Sequence, residues 1–217
     1  MLSNRERNLV SEPPAAAVDV SLRSLADRYG VNHGHRVILY AGTFESYQGL
    51  DLLVEAAAEV VRSNKNVRFL CAGGNDAQVA RMKVLARKCG VSEYFSFPGT
   101  LPLKEAESLL KIATILISPR ITGTNTPLKI YSYLRSGVPI LATKIVSHTQ
   151  VLTDDVALLV EPRPEALSSG VLRLLDDSEL CSRLAENALR LAEKSYSEAA
   201  YYRKIAEVFS FLASKSR

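Results

Sequence analysis

The chain has 217 residues, 47% of them apolar and 23% charged, and a formal charge of +4 from 27 basic and 23 acidic side chains. That profile fits a globular protein of one large domain or two small ones. The charge suits an anionic ligand but is too small to argue for nucleic acid. No run approaches the roughly 18 apolar residues that span a bilayer. Cys71, Cys89 and Cys181 lack metal-ligand spacing, and their odd number argues against a disulfide framework and for a reducing cytosol.

Met1 to Asn8 is polar and does not resemble a signal peptide. Residues 11–18 read as a linker, and residues 1–35 as an arm with a short helix. A strand over Arg36–Ala41 ends at Gly42. The helix Leu50–Arg62 follows, with Leu53, Ala56, Ala57 and Val60 at helical spacing. Val67–Ala72 is a strand ending at Gly73-Gly74. Ala77–Cys89 is a helix with Asp76 as its expected cap and Gly90 closing it. A short strand Tyr94–Phe97, a helix Leu103–Lys111 and a strand Thr114–Ile117 come next. A helix opens at Pro127, where a missing N–H does no harm, and stops at Gly137. The strand 138–142, a helical turn Ser147–Leu152 and a last short strand Ala157–Val160 complete the alternation. Helices over Pro164–Leu175, Glu179–Lys194 and Ser197–Ala213 end the chain, the last two broken at Tyr196-Ser197.

Apolar strands separated by helices of 10–15 residues predict a doubly wound, Rossmann-like α/β sheet of about six parallel strands. Such sheets bind ligands beyond the carboxyl ends of their strands. The segments there are 42–49, 73–76, 97–102, 118–127 and 143–147, all rich in Gly, Ser, Thr, Asn or Pro. The most telling is Ser118-Pro119-Arg120-Ile121-Thr122-Gly123-Thr124-Asn125-Thr126-Pro127. A polar loop between a strand and a helix start converges free N–H groups and the positive dipole end on one point. Lys129 lies in the first turn, where the dipole disfavours a cation. A bound anion, most simply a phosphate, would explain it; a surface lysine packing its stem on the helix is the alternative.

Taken together, several stretches resemble the C-terminal domain of a GT-B glycosyltransferase of the large retaining family 4. They are Arg36 to Gly42, Tyr47-Gln48-Gly49-Leu50-Asp51-Leu52-Leu53-Val54-Glu55-Ala56, Phe69 to Gly74, Phe95-Ser96-Phe97-Pro98-Gly99 and Ser136 to Thr143. The resemblance covers roughly residues 36 to 212, and it is their order and spacing that is specific. It implies that residues 36–178 hold a nucleotide-sugar donor. Residues 179–217 would be helices bracing this domain or a partner domain. Gly42 and Thr43 would approach the diphosphate. Gln48, beside Gly49, stands where a phosphate-binding lysine is common. Gly73, Gly74 and Asn75 would border the nucleotide, and Gly99, Thr100 and Leu101 would enclose the base. The stretch Gly123, Thr124, Asn125, Thr126, Pro127 and Leu128 would face the sugar and diphosphate, with Lys129 beside it and Arg120 within reach. The family commonly has two glutamates separated by seven residues; here those positions are Thr124 and Ser132.

The implied reaction is retaining transfer of a hexosyl group from a nucleotide-sugar to a glycan or lipid-linked acceptor. It would run in the cytoplasm, or at the inner membrane through a partner. Backbone donors and a cation would stabilise the leaving diphosphate, so no metal and no cofactor besides the donor is expected. The acceptor-binding half would be a further domain or a separate subunit. A noncatalytic nucleotide-sugar-binding or assembly subunit is the alternative from another class. A nucleotide-sugar epimerase would need cleft carboxylates and histidines that are not offered. Gly42-Thr43-Phe44-Glu45 is no dinucleotide fingerprint, and a receiver domain would need acidic residues after the first strand. Among single residues, His148 reads as a cap or packing group with a sugar contact as the sharper possibility. His33 and His35 are expected to face water, Glu45 to be a solvated loop carboxylate, and Tyr133 to face the core. Tyr201-Tyr202 would pack within the domain or meet a missing one.

Overall fold

In a computed structural model of the chain, the structure describes residues 22, 24–32 and 34–215, and for 211–215 the backbone alone. The linker assigned to 11–18, and His33, lie outside the described residues.

Six strands form one fully parallel sheet: β1 (Arg36–Ala41), β2 (Val67–Ala72), β3 (Phe95–Gly99), β4 (Ile115–Ser118), β5 (Ile140–Thr143) and β6 (Leu158–Val160). Their order is β3-β2-β1-β4-β5-β6. The chain steps outward from β1 to β3, then returns to lay β4 on the other side of β1. Loops leaving β1 and β4 therefore diverge, and the crevice between them is the switch point of a doubly wound sheet. Arg36 to Ala41 pairs without a slip against Val67 to Ala72. Ile38 and Leu39 sit level with Ile115 and Leu116.

Strict alternation of side chains places two cores on the two faces. Ile38, Tyr40, Phe69, Cys71, Ile115 and Ile117 face one way. They pack on α1 (Leu50–Ser63) and α6 (Pro164–Asp176) through Leu53, Ala57, Val60, Leu167 and Val171. Val37, Leu39, Leu70, Leu116, Ile140 and Ala142 face the other way. They meet α3 (Leu103–Leu110), α4 (Lys129–Leu134) and α7 (Ser178–Tyr196). Burial on both faces is why the strands read as unbroken apolar runs. Two further helices, α2 (Asp76–Lys88) and the four-residue α5 (Val146–Thr149), follow β2 and β5. The terminal α8 (Glu198–Lys215) bears exposed Tyr201, Tyr202, Val208 and Phe209. Among the described residues no helix is long and apolar enough to cross a membrane.

Several boundaries differ from expectation. The cap of α2 is Asn75, not Asp76: its side chain accepts from Gln78 N–H while Gln78 accepts from the Asn75 N–H, a reciprocal capping box. The strand β3 extends through Pro98 to Gly99, which pairs with Ala72 past an irregularity. Pro98 is tolerated because β3 is a sheet edge. The helix expected from Pro127 to Gly137 is shorter. Ile130 N–H bonds the Pro127 carbonyl at 3.0 Å, so Pro127 and Leu128 form a tight turn ahead of α4. The helix ends at Leu134, where Ser136 turns back to bond the Tyr133 carbonyl through both its N–H and its hydroxyl. The Ser136 hydroxyl also accepts from Val138 N–H, which delays β5 to Ile140. The break at Tyr196-Ser197 is present, with Ser197 extended. Its free carbonyls are met by Arg203 on Lys194, Lys204 on Ser195 and Arg135 on Tyr196.

Candidate functional site

The carboxyl edge begins with two glycine turns pressed together. Gly42, just past β1, donates to the Ala72 carbonyl at 3.0 Å. Gly73, just past β2, has φ +124°, and a Cβ on it would run into the Gly42 carbonyl. Gly73 N–H in turn bonds the Gly99 carbonyl at 2.7 Å, and the Thr100 hydroxyl bonds the Gly74 carbonyl at 3.1 Å. Three loops are thereby locked side by side. They enclose a cleft of about 270 Å3 lined by Ala41, Gly42, Thr43, Ala72, Gly73, Gly74, Thr100, Leu101 and Ala106.

Next to this cleft, at the switch point, stands Lys129. Its ammonium donates to Gln48 Oε1 at 3.1 Å and lies 3.8 Å from the centre of the Tyr40 ring. A Cβ on Gly42 would stand 3.1 Å from that ammonium, so the cation borders the first glycine turn. Burial holds the Lys129 amine well below the usual lysine range, Arg120 adds to the effect, and Cys71 opposes it. Among the described residues no carboxylate acts on it, so the Lys129 amine is desolvated without a counter-charge there.

Arg120 organises the loop after β4. Its guanidinium donates to the carbonyls of Thr122 (2.7 Å) and Asn125 (3.0 Å) and stacks 5.0 Å from the Tyr47 ring centre. Gly123, at φ +126°, gives the guanidinium room, for any Cβ there would collide with it. With two carbonyls turned onto Arg120, the N–H groups of Gly123, Thr124, Asn125, Thr126, Leu128 and Lys129 make no hydrogen bond among the described residues. Pro127 has none to offer. Gly49, which caps α1 at φ +70°, packs against the Pro119 carbonyl, and Ile121 N–H bonds the Tyr47 carbonyl at 2.9 Å. The β1 and β4 loops are therefore one assembly.

His148 is fully buried beneath this assembly. Its Nδ1 lies 2.8 Å from the Thr143 carbonyl, which only accepts, so Nδ1 carries the proton. Its Nε2, 2.9 Å from Ser118 Oγ, then accepts from that hydroxyl. Thr143 Oγ1 donates to the Arg120 carbonyl, and Thr126 Oγ1 bonds Gln150 at 2.9 Å. These bonds pin the β4 loop to the segment running from the end of β5 through α5 to Gln150. Burial drives the His148 pKa down to about 4. It is a neutral structural knot, and the sugar-contact reading of His148 does not stand, because no face of its ring is open.

The fold brings Gly42, Thr43, Gly73, Gly74, Thr100 and Leu101 into one cleft, with Gln48 and Lys129 beside it. Other residues have different tasks. The Asn75 side chain caps α2, and the Gly99 carbonyl is held by Gly73. Gln48 is buried at 7% exposure, with its amide on Lys129 and on Thr43 Oγ1. Thr124, Leu128 and Ser132 are exposed. Glu45 is not merely solvated; it accepts from the Gln78 amide at 3.0 Å. His35 accepts from Asn32 N–H at 2.9 Å rather than facing only water. Tyr133 faces the core as expected, its hydroxyl accepting from Ala41 N–H. Sequence reasoning missed Tyr40, the floor under Lys129, and Tyr47, the stacking partner of Arg120. Tyr40 sits two residues ahead of the first glycine turn, but nothing local couples it to Lys129. Among the described residues no group of three or more His, Cys, Asp or Glu gathers as a metal site.

A parallel sheet in this order, with glycine turns and a half-buried lysine at its switch point, is the C-terminal half of a GT-B glycosyltransferase fold. The chain belongs to the family of glycosyl transferases group 1, whose model matches residues 23–191. It is 26% identical over 187 residues to an alpha-D-kanosaminyltransferase of Streptomyces kanamyceticus, covering 85% of this chain and 48% of that protein. A glycosyltransferase from Rickettsia africae has the same fold at TM-score 0.79 and 19% identity, over 94% of this chain and 53% of that one. The C-terminal domain of a group 1 glycosyltransferase (LpcC) from Francisella tularensis matches at TM-score 0.70 and 17% identity, over 81% of this chain and 93% of that domain. An Anabaena protein, HepE, in complex with UDP and glucose matches at TM-score 0.76 and 16% identity, over 88% of this chain and 52% of that one. The chain spans at most about half the length of the curated relatives it matches.

Proposed function

We propose that this chain is the donor-holding half of a glycosyltransferase. In this reading the nucleoside of a nucleotide-sugar occupies the cleft between Gly73-Gly74 and Thr100-Leu101. The diphosphate lies between Gly42-Thr43, Lys129 and the free amides of residues 123–126, with Arg120 shaping the loop. The observation that carries it is Lys129: a desolvated amine at a switch point, with no carboxylate among the described residues acting on it. A site that concentrates positive charge and unpaired N–H groups is complementary to an anion. The HepE neighbour, crystallised with UDP, supports the same ligand class here.

The chemistry follows from where charge develops. As the bond from sugar to phosphate breaks, the diphosphate gains negative charge. Lys129 and the amides meet that charge without rearranging, which lowers the barrier more than it deepens substrate binding. The transferred group is a hexosyl unit, the configuration is retained, and the acceptor is a glycan or a lipid-linked molecule. The acceptor is held by a second domain or chain, in keeping with the half-length match to relatives.

A noncatalytic donor-binding or assembly subunit is the second reading. Thr124 and Ser132, both exposed and uncharged, favour it because neither can act as a carboxylate on the ribose or sugar. Calorimetric titration of UDP, GDP and ADP tests the site itself. Binding of one of them, weakened at least about tenfold in Lys129→Ala, supports the donor site. No binding by any of the three at millimolar concentration rejects it.

A further inference from the structure

We propose that Tyr40 is a positioning residue for the diphosphate: its ring face seats the Lys129 ammonium, and its hydroxyl holds the Gly42-Thr43 turn beside that cation. The proposal rests on the reading of the site as a diphosphate cradle and adds to it the residue that arms the cradle. Tyr40 is fully buried at the carboxyl end of β1. Its hydroxyl donates to the Thr43 carbonyl at 2.6 Å, which folds the turn over the ring edge. A Cβ on Gly42 would stand 3.0 Å from the Tyr40 hydroxyl and 3.1 Å from the Lys129 ammonium, so turn, ring and cation occupy one tight cluster. The ring centre is 3.8 Å from the ammonium, close to the shortest useful approach for a cation on a π face. Gln48 completes the seat, holding the ammonium through Oε1 and reaching Thr43 Oγ1 through its Nε2.

The need for such a seat is electrostatic. The groups acting on Lys129 are Tyr40 on β1, Cys71 on β2, Arg120 in the β4 loop and His148 on α5. Burial raises the pKa of Tyr40 and Cys71 and lowers that of His148, so all three are neutral near pH 7. Arg120 is a like charge. The ring face and the Gln48 carbonyl are therefore what hold the Lys129 amine in place, aimed at the turn, before a ligand arrives. Without the ring the amine would lose its proton at a lower pH and the turn would lose its tether.

The test is calorimetric titration of UDP, GDP and ADP, with uridine, guanosine and adenosine as base-only controls, at pH values from 6.5 to 9. It compares the wild-type chain with Tyr40→Phe, Tyr40→Leu, Lys129→Met and the Tyr40→Leu/Lys129→Met pair. Tyr40→Leu is expected to weaken the diphosphate about tenfold, to leave the nucleoside within about twofold, and to shift the pH at which diphosphate affinity falls downward by about one unit. Tyr40→Phe keeps the ring, so it keeps that pH midpoint while losing about threefold in affinity. In the Lys129→Met background, Tyr40→Leu should cost less than about twofold more. Equal losses for nucleoside and diphosphate, an unmoved midpoint in Tyr40→Leu, or additive losses in the double variant would each overturn the role. If circular dichroism shows Tyr40→Leu unfolded, Tyr40→Phe decides: unchanged affinity, or a shifted midpoint, overturns it. Failure of the wild-type chain to bind any diphosphate sinks the donor site and this role with it. Binding that ignores Tyr40 sinks only the role.

Discussion

The hydroxyl of Ser118, at the end of β4, donates to Nε2 of His148 on α5 across 2.9 Å. That single bond ties the strand that launches the loop proposed to hold the diphosphate to the element on its far side. It requires a neutral imidazole, because a protonated ring has no acceptor left. Stability should therefore depend on pH through this residue. The folded pKa is about 4, below the usual histidine value of about 6.5. The unfolded chain then binds more protons between these values, so stability falls as pH drops from 6.5 to 4, by up to about 3 kcal/mol. Thermal melts across that window should show the fall. His148→Ala should flatten its slope and lower stability at pH 7 by about 1–3 kcal/mol, since Ser118 Oγ and the Thr143 carbonyl lose their partner. An unchanged slope would remove His148 from the account.

Gly73→Ala should be severely damaging. Its φ of +124° is poor for any residue with a Cβ, and the added methyl meets backbone, the Gly42 carbonyl, which cannot swing aside. A loss of roughly 2–4 kcal/mol is expected, or displacement of the two turns with loss of diphosphate binding. Gly90→Ala makes a clean control. It also has positive φ, +71°, but no atom lies within 4 Å of its added Cβ, so it should lose only about 1 kcal/mol.

Lys129 should cost the ligand-free chain stability. A lysine whose pKa is lowered by burial is penalised wherever the unfolded chain is still protonated. That penalty is greatest below its folded pKa and disappears as pH rises past about 10.4. Lys129→Met should therefore raise the melting temperature at pH 7, with the gain shrinking at high pH, while it weakens diphosphate binding at least about tenfold. Such a trade of stability for binding is common where a site holds charge in waiting. A destabilised Lys129→Met at pH 7 would contradict it.

Arg81 and Asp51 form the most regular ion pair of the described residues, with contacts of 2.7 and 2.9 Å. Both side chains are about half exposed, at 51% and 47%. Water and salt screen such a pair, so Arg81→Ala should change stability by less than about 1 kcal/mol in chemical denaturation.

How much of this was legible beforehand varies by element. The parallel sheet was, because Val37 to Tyr40, Phe69 to Ala72 and Ile115 to Ile117 are apolar on both faces, and only a doubly covered sheet buries both. The glycine turns after β1, β2 and β3 were, because φ above zero leaves few other residues. The length of α4 was not: Ser136 ends it by folding back on Tyr133, a choice between two equally available hydrogen-bond patterns. The state of His148 was not legible either, since its partners Ser118 and Thr143 come from two neighbouring strands.

By itself, the order of residues determined the class of fold and which glycine turns line the carboxyl edge of its sheet. Both depend on local period and on backbone freedom, which nearest neighbours in the chain dictate. Only the folded molecule decided that Lys129 rests on Tyr40 and Gln48, that Arg120 gathers the carbonyls of Thr122 and Asn125, and that the neighbouring amides find no partner among the described residues. Charge, burial and partner are properties of a position in space, and strands adjacent in the sheet bring together residues far apart in the chain.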